Sequence, residues 1–458
     1  MVSNEMKILS PTAILGYGFP EESFALGLQR KPDVIAVDAG SSDPGPYYLG
    51  AGVSFTDRSA VMRDLTIILK AARDLDIPVL VGSAGGCGAS PHLAWTLDIV
   101  KEVCVSIGYH VKIAAIDADV PRSTVLDALS TGTLTGVIPE QETADKAIAE
   151  STYIVGQMGE EPLIAALEAG ARVVVAGRCY DPAVFAALPI LQGFDRGLAL
   201  HLGKILECAA IAALPGSGSD CMMGTLAADH FVLEPTSPSR VCTVTSVAAH
   251  TLYEKSDPYL LPGPGGHLDL TETRFEQLDA RRVKVSGSRF VPSDGYRIKL
   301  EGARKVGYRT VSVAGVRDPV FISRIDEILA GVRARVADNF SHVAADAYSL
   351  LFHVYGKNGV MGALEPVRNP APHELGIVIE AVAQTQDLAN TICSFTRSTA
   401  LHFGYEGRVS TAGNLAFPYS PSDFKGGEVY EFSLYHLLEV ADPTSLFPIR
   451  TFVVGDAR

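Results

Sequence analysis

One pattern recurs through the first half of the chain: a short apolar run rich in β-branched residues, a break bearing Gly or Asp, and a longer segment with helical spacing. Such alternation is typical of βαβ units, in which helices connect parallel strands and cover the sheet. Most of the runs are apolar throughout, as expected of strands buried on both faces. The predicted strands are Thr12–Leu15, Asp33–Asp38, Pro78–Val81, Val111–Ile116, Tyr153–Val155 and Arg172–Ala176. The sequence therefore predicts an α/β fold whose N-terminal domain holds a mainly parallel sheet with flanking helices.

The regular alternation ends after a predicted helix at Leu198–Leu214. Gly, Pro and Ser residues that interrupt regular structure follow from Pro215. The region beyond them is predicted to have irregular α+β structure, with strands at Arg282–Val285 and Tyr296–Leu300. The Pro-rich stretch Pro366–Pro372 is the predicted linker. We therefore expect a large domain over residues 1–365 and a smaller α+β C-terminal domain over residues 373–458.

The composition of the chain argues against several classes of protein. The formal net charge is -14, and Lys and Arg are scattered, which disfavours a nucleic-acid surface because such a surface relies on clustered cations. The segment Met1–Gly16 lacks the features of a signal peptide, and no apolar run reaches the length of a membrane helix. The seven cysteines form no CxxC pair, which fits reduced thiols in a cytosol. We expect a cytoplasmic homo-oligomer that binds neither nucleic acid nor membrane.

The glycine-rich loop Gly82–Gly88 follows a predicted strand and precedes a predicted helix. Loops that follow parallel strands gather at the carboxyl edge of a sheet, where ligands usually bind. The backbone amides of this loop could cradle a carboxylate or phosphate at the helix N-terminus. The alternative is a tight turn that needs positive φ angles. On the first interpretation Ser83, Gly85 and Gly86 bind substrate, together with Gly18 and Ser41 of neighbouring loops.

Carboxylates form a second feature of the same predicted edge. Asp38 and Asp43 flank a loop of small residues, and Asp117 and Asp119 follow another strand. A rim of this kind suits either a divalent cation such as Mg²⁺ or Mn²⁺, with Asp38 and Asp43 as ligands, or acid/base chemistry between paired carboxyl groups. The alternative use of each Asp is helix capping and turn formation.

Arg178 directly follows the last predicted strand of the first half. A guanidinium there can bind a substrate carboxylate through two parallel hydrogen bonds. The alternative is an internal pair between Arg178 and Asp181 that fixes the loop. Farther along, Lys204 and Glu207 are three residues apart and share a helical face. Their apolar surroundings predict partial burial, although a solvated pair is the alternative.

Two further clusters carry ionisable side chains. His250 and Glu254 are four residues apart, so a continuous helix would stack them, and His is the usual general base near neutral pH. A structural histidine is the alternative. Lys299 and Glu301 lie on the same face of a predicted strand, with Arg309 farther along, and a surface ladder of paired charges is the alternative reading.

These interpretations define one predicted site. The predicted catalytic residues are Asp38, Asp43, Arg178, Asp181, Glu207, His250 and Glu254. The predicted substrate-binding residues are Gly18, Ser41, Ser83, Gly85, Gly86, Lys204, Lys299 and Arg309. The predicted ligands of a divalent metal are Asp38 and Asp43.

Several short motifs occur together and in order between about Ala13 and Asp326. They are Asp38-Ala39-Gly40-Ser41, Gly82-Ser83-Ala84-Gly85-Gly86, Gly177-Arg178 with Asp181, Gly203-Lys204-Ile205-Leu206-Glu207-Cys208, Glu254 with Asp257-Pro258, Lys299-Leu300-Glu301-Gly302, Gly307-Tyr308-Arg309 and Arg317-Asp318-Pro319. In this set the chain resembles the acyclic terpene utilisation AtuA family. Ala209-Ala210 stands where the resemblance implies a glycine.

The resemblance implies a place in catabolic routes for branched or terpenoid acids, often carried as acyl-CoA thioesters. The expected partner is thus a small-molecule carboxylate or an acyl-CoA. The leading hypothesis is a lyase or hydratase acting on such a compound. A non-catalytic subunit or assembly partner of a catabolic enzyme is one alternative, because the sequence holds no recognised nucleophile or cofactor motif. A hydrolase or ATP-dependent ligase is another.

Overall fold

A computed structural model describes residues 5–137, 145–368, 370–409 and 411–455. Its strands are β1 (Glu5–Ser10), β2 (Val34–Asp38), β3 (Val79–Gly82), β4 (Val111–Ile116), β5 (Leu134–Gly136), β6 (Ser151–Gly156), β7 (Val173–Ala176), β8 (Met222–Ala227), β9 (His230–Pro235), β10 (Leu260–Gly263), β11 (Gly266–Asp269), β12 (Arg274–Gln277), β13 (Val283–Ser286), β14 (Arg289–Pro292), β15 (Tyr296–Val316), β16 (Tyr348–Tyr355), β17 (Leu375–Ala383), β18 (Asp423–Val440) and β19 (Ile449–Val454). Its α-helices are α1 (Glu21–Gln29), α2 (Pro46–Ala51), α3 (Arg58–Leu75), α4 (Ser90–Ser106), α5 (Arg122–Thr131), α6 (Asp145–Glu150), α7 (Glu161–Glu168), α8 (Ala183–Leu191), α9 (Arg196–Leu206), α10 (Val244–Thr251), α11 (Pro319–Ser323), α12 (Ile325–Asn339) and α13 (Gln386–His402).

The largest sheet has a parallel centre and antiparallel flanks. Strands β1, β2, β3, β7 and β4 lie side by side in this order and run parallel. On one side β8, β9, β13 and β12 continue the sheet, and on the other side β19 does, all with antiparallel pairing. The predicted α/β fold is confirmed, but the sheet is mixed rather than mainly parallel.

The parallel strands are buried on both faces, as their sequences indicate. In β2, Ile35 and Val37 pack into one hydrophobic cluster with α3 and α4, while Val34 and Ala36 pack into a second cluster with α8 and α9. Side chains alternate between the faces of a strand, so an apolar run of this kind needs helices on both sides. No helix among the described residues combines the length and apolar character needed to cross a membrane.

Three predicted elements differ from the structure. The first strand is Glu5–Ser10, and Thr12–Leu15 is instead a turn after its end, tied to the chain by hydrogen bonds such as Ala13 N to Gly218 O. The predicted strand at Tyr153–Val155 exists as β6, but it pairs antiparallel with β15 outside the large sheet. The predicted helix Leu198–Leu214 is α9, which ends at Leu206 and is followed by a short 3-10 helix, Ala209–Ala212. Periodicity alone does not reveal a strand's partner or a helix's end.

The chain forms two compact units. The first contains the residues up to Arg304 and those from Phe432 onward, and the second contains Lys305–Glu431. The second unit holds β16 and β17 with the later part of β15, packed on α12 and α13. The predicted linker Pro366–Pro372 falls inside the second unit, and its residue Asn369 lies outside the described residues.

Candidate functional site

A cavity of about 870 Å³ opens in the first unit beside the carboxyl edge of the parallel strands. The loop after β7 and the end of α9 form one wall, and the turn after α10, the β10–β11 hairpin and strands β15 and β18 form the others. The ionisable side chains that line it include Arg178, Asp181, Lys204, Glu207, Lys255 and Lys299. Residues from distant parts of the sequence thus meet in one polar space.

Arg178 lies at the centre of a buried ion cluster. Its guanidinium donates from Nε to Glu301 Oε2 at 2.9 Å and from Nη1 to Asp181 Oδ1 at 3.0 Å. Nη1 also donates to Ser83 Oγ at 3.2 Å. Lys299 Nζ completes the cluster at 2.7 Å from Glu301 Oε1. The internal Arg178–Asp181 pair therefore exists, and the predicted same-face placement of Lys299 and Glu301 is observed.

Glu301 stays ionised in this cluster. Burial by itself raises the pKa of a carboxyl group, but here the Arg178 and then the Lys299 cations outweigh it and lower the pKa of Glu301 to about 2. A carboxylate that accepts from two cations fixes their positions. Glu301 thus holds Arg178 in place at the back of the cavity.

Glu207 is the second buried carboxyl group of the cavity. It follows the last residue of α9, and its side chain forms an ion pair with Lys204 one helical turn earlier. Burial raises the pKa of Glu207 to about 7, and the Lys204 cation offsets this only in part. Its Oε2 atom is buried and has no hydrogen-bond partner in the described part of the chain. Glu207 can therefore gain and lose a proton near neutral pH.

Lys255 is a cavity residue that sequence reasoning missed. It lies in the turn after α10, half-buried, with its ammonium 6.0 Å from the centre of the Tyr180 ring. Burial and the neighbouring Lys204 cation lower the pKa of Lys255. No sequence signal marks it, because only the fold brings this turn beside α9.

The family comparison bears on this same set of residues. A family model described as acyclic terpene utilisation family protein AtuA matches residues 58–215 and 229–416, well over half of the chain. The chain belongs to the AtuA family. Arg178, Glu207, Lys255 and Glu301 all lie within the matched ranges of the AtuA-family model. No curated protein sequence and no solved structure matches the chain.

In this AtuA-family chain the glycine-rich loop is packed against its surroundings. The amides of Ser83, Ala84, Gly86 and Gly88 all donate to backbone carbonyls of the chain itself. Gly88 has φ of +68°, and a Cβ there would collide with the backbone of Arg178. A Cβ on Gly86 would collide with the Phe55 ring. Close packing accounts for these glycines, and binding of substrate by Ser83, Gly85 and Gly86 stays a prediction.

The N-terminus of α4, which follows that loop, already has an acidic partner. Asp119, after β4, accepts a hydrogen bond from the Ser90 amide at 2.6 Å. A carboxylate near the first turn of a helix is stabilised by the exposed amides and by the helix dipole. This position is therefore occupied by the chain's own carboxylate, which is the capping role that the sequence left open for Asp119.

Asp38 lies near the cluster but does not line the cavity. It pairs in register with Gly82 at the ends of β2 and β3, and its Oδ2 accepts from the Gly40 amide at 3.2 Å. Burial, with the Asp181 charge adding to it, raises the pKa of Asp38 well above the ordinary value. Its Oδ1 has no hydrogen-bond partner among the described residues. Asp38 is thus a buried group close behind the site.

The predicted metal ligands can be compared with what a divalent cation requires. Asp43 lines the cavity and accepts from Ser41 Oγ at 2.5 Å. Within the described ranges, no group of three or more His, Cys, Asp or Glu side chains is arranged to hold a metal ion. Mg²⁺ prefers six oxygen ligands, so Asp38 and Asp43 would need several more from water or substrate. The Mg²⁺ or Mn²⁺ site stays a prediction.

The predicted stacking of His250 over Glu254 is wrong. Helix α10 ends at Thr251, and Glu254 has φ of +61°, so the helical spacing does not continue. His250 instead stacks on Tyr253 with ring centres 5.4 Å apart. Burial, and then the Lys204 cation, lower the pKa of His250 to about 4. His250 is therefore uncharged at neutral pH, while Glu254 lines the cavity from an exposed turn.

Gly18 and Arg309 were also predicted to bind substrate, and neither is among the residues that line this cavity. Gly18 lies at a separate, shallower depression, where its amide donates to the buried Asp64 carboxylate at 3.1 Å. Arg309 belongs to the second unit and pairs with Glu380 at 2.6 Å. Ala209, where the family resemblance implies a glycine, has φ of +47°, a region that glycine occupies most readily.

Proposed function

We propose that this protein is a lyase or hydratase in the catabolism of branched or terpenoid acids, and that Glu207 is its acid/base group. The observation that carries the proposal is the state of Glu207: a buried carboxyl group that lines the cavity, with a pKa of about 7 and one oxygen that no described residue hydrogen-bonds. A general acid/base works best when its pKa lies near the operating pH.

The reaction that suits this site begins with removal of a proton from a carbon next to a carbonyl group. The Glu207 carboxylate takes the proton, and the electron pair moves to the carbonyl oxygen, which becomes negatively charged. The hydroxyl group on the next carbon then takes a proton from Glu207 and departs as water while the carbonyl re-forms, which returns Glu207 to its carboxylate form. Water addition is the same sequence in reverse.

Cations around the cavity would stabilise that charge. Lys204, Lys255 and Lys299 all line it, and charge that develops on an oxygen is stabilised most by donors fixed in place beforehand. Arg178 is held rigidly by Glu301 and Asp181. Membership of a family named for acyclic terpene utilisation supports a branched carbon skeleton in the substrate.

The test is proton exchange measured on the purified full-length chain. The protein is incubated in D₂O with a panel of branched acids and their CoA thioesters, and deuterium at the carbon next to the carbonyl is followed by NMR and mass spectrometry. Wild-type protein is expected to catalyse exchange into at least one of these compounds. Glu207→Gln is expected to slow exchange about 10²- to 10⁴-fold, the usual contribution of a general acid/base.

Glu160→Gln is the matched control. Glu160 is also buried beside an arginine, Arg196, and burial raises its pKa to about 7, but it does not line the cavity. Exchange by this variant is expected to equal that of the wild type. Equal rates for Glu207→Gln and wild type would overturn the role of Glu207, and a wild-type protein that exchanges no compound of the panel would overturn the reaction class.

A further inference from the structure

The basic side chains of the cavity are unequal in their partners. Four of them form ion pairs: Arg178 and Lys299 with Glu301, Lys204 with Glu207, and Arg297 with Glu439. Lys255 forms no ion pair with any residue that the structure describes, although it lines the same cavity. Lys255 therefore differs from the other four basic side chains in having no counter-charge from a described residue.

The surroundings of Lys255 leave its ammonium group short of both water and counter-charge. The side chain is half-buried, with the buried Tyr180 ring on one side. Charged groups of three elements face it: Lys204 and Glu207 from α9, Asp181 from the loop after β7, and Lys299 from β15. The acids among them already pair with other cations of the cluster.

Two other carboxylates line the cavity, Asp43 and Glu254, and neither forms an ion pair with Lys255. Both are exposed and therefore solvated. A partly desolvated cation gains most from an anion that hydrogen-bonds to it directly. Among the described residues none supplies such an anion at Lys255, so a ligand can.

We infer that Lys255 binds the carboxylate of the substrate, and that the cavity therefore takes the free acid in preference to its CoA thioester. This inference rests on the proposed function, since it names the form in which the acid reaches Glu207. Conversion of an acid to a thioester removes the negative charge that pairs with Lys255. The phosphate groups of coenzyme A would need several unpaired cations, and four of the cavity's basic groups are already neutralised.

Binding of the carboxylate at Lys255 fixes where the reacting carbon of the substrate lies. Lys255 and Glu207 line the same cavity, so a carboxylate held at Lys255 keeps the adjacent carbon in the space that Glu207 also borders. The substrate class is thus a branched carboxylic acid that reacts near its own carboxylate. The apolar wall formed by Val137 and Leu437 lies in the same cavity and can accept its hydrocarbon chain.

Calorimetric binding to the full-length protein tests this without any turnover. The probes are 3,7-dimethyloctanoate, its primary amide and its CoA thioester. Wild-type protein is expected to bind the acid about 10- to 100-fold more tightly than the amide, the range for one hydrogen bond to a charged group. Lys255→Met is expected to lose this preference by weakening binding of the acid, while binding of the amide stays unchanged.

Two further variants keep the test decisive. Lys255→Arg keeps the charge and is expected to retain the preference for the acid. Lys284→Met changes a lysine of β13 that pairs with Glu276 outside the cavity, and it is expected to behave as wild type.

Undiminished binding of the acid by Lys255→Met, tighter binding of the thioester than of the acid by wild type, or no binding of the acid by wild type would each overturn the inference. These outcomes are separable from failure of the proposed function, because the exchange assay depends on Glu207 and the binding assay does not.

Discussion

Two buried glutamates of the first unit ionise in opposite ways, although both lie beside cations and are almost fully shielded from water. Glu301, on β15, accepts hydrogen bonds from Arg178 and Lys299, and these cations lower its pKa to about 2. Glu207, after α9, forms an ion pair with Lys204, and burial raises its pKa to about 7.

The comparison teaches that burial alone does not decide the charge of a carboxyl group. Desolvation disfavours the carboxylate in both places, and the outcome depends on how many cations and donors oppose it. With two cations and both oxygens paired, Glu301 is a permanent charge that holds the cluster together. With one ion pair and one oxygen that no described residue hydrogen-bonds, Glu207 is balanced between its protonated and ionised forms, which is the condition for proton transfer.

The largest expected effect comes from Glu301→Gln. This change leaves Arg178 buried with Asp181 as its remaining acidic partner, and breaking a buried ion pair typically costs about 3–5 kcal/mol. Urea unfolding at pH 7 measures the loss in the free energy of unfolding. The control is Glu102→Gln, whose exposed pair with Arg58 contributes at most about 1 kcal/mol. Similar losses for the two variants would contradict the structural role of Glu301.

The pH dependence of stability is expected to have opposite signs at the two glutamates. The folded pKa of Glu207, about 7, lies above the ordinary 4.5, so its ionisation costs the folded state stability as pH rises from 4.5 to 7. The folded pKa of Glu301, about 2, lies below 4.5, so its stabilising charge is fully present above pH 4.5 and is lost as pH falls toward 2.

Urea unfolding across this pH range checks both signs. As pH rises from 4.5 to 7, the free energy of unfolding of wild type should decrease relative to that of Glu207→Gln. As pH falls below 4.5, the free energy of unfolding of wild type should decrease relative to that of Glu301→Gln. Each variant serves as the other's control, because the remaining titrating groups, including Glu160, are common to all three proteins. If the free energy of unfolding changed with pH in the same way in the two variants, the opposite ionisation of the two glutamates would be contradicted.

The smallest expected effect is a shift in the titration of Glu207 in Lys204→Met. Lys204 is the cation that lowers the pKa of Glu207 most, so its removal should move that pKa above 7. Infrared spectroscopy of the protonated carboxyl C=O stretch, assigned by difference from Glu207→Gln, follows this shift. Lys284→Met should leave the titration in place. An unchanged midpoint in Lys204→Met would contradict the role of the Lys204 charge in setting the pKa of Glu207.

Sequence reasoning reached part of the candidate site. It placed Arg178 after a parallel strand, Lys204 with Glu207 on one helical face, and Lys299 with Glu301 on one strand face, because each of these follows from local spacing. It stacked His250 on Glu254 wrongly, because the end of α10 at Thr251 depends on what packs around that turn.

The amino-acid sequence is enough to establish the alternation of strands and helices, the full burial of the central strands and the membership of the AtuA family. These features follow from short-range periodicity and from motifs in a fixed order. The contact between Glu301 and Arg178, which are 123 positions apart in the chain, follows from the three-dimensional fold and not from local spacing. The tertiary fold also places Lys255 near Lys204, with no ion-pair partner in the part of the chain that the structure describes. The reason is physical: desolvation and Coulomb energy depend on every group within a few ångströms in space, and spacing along the chain does not encode those neighbours.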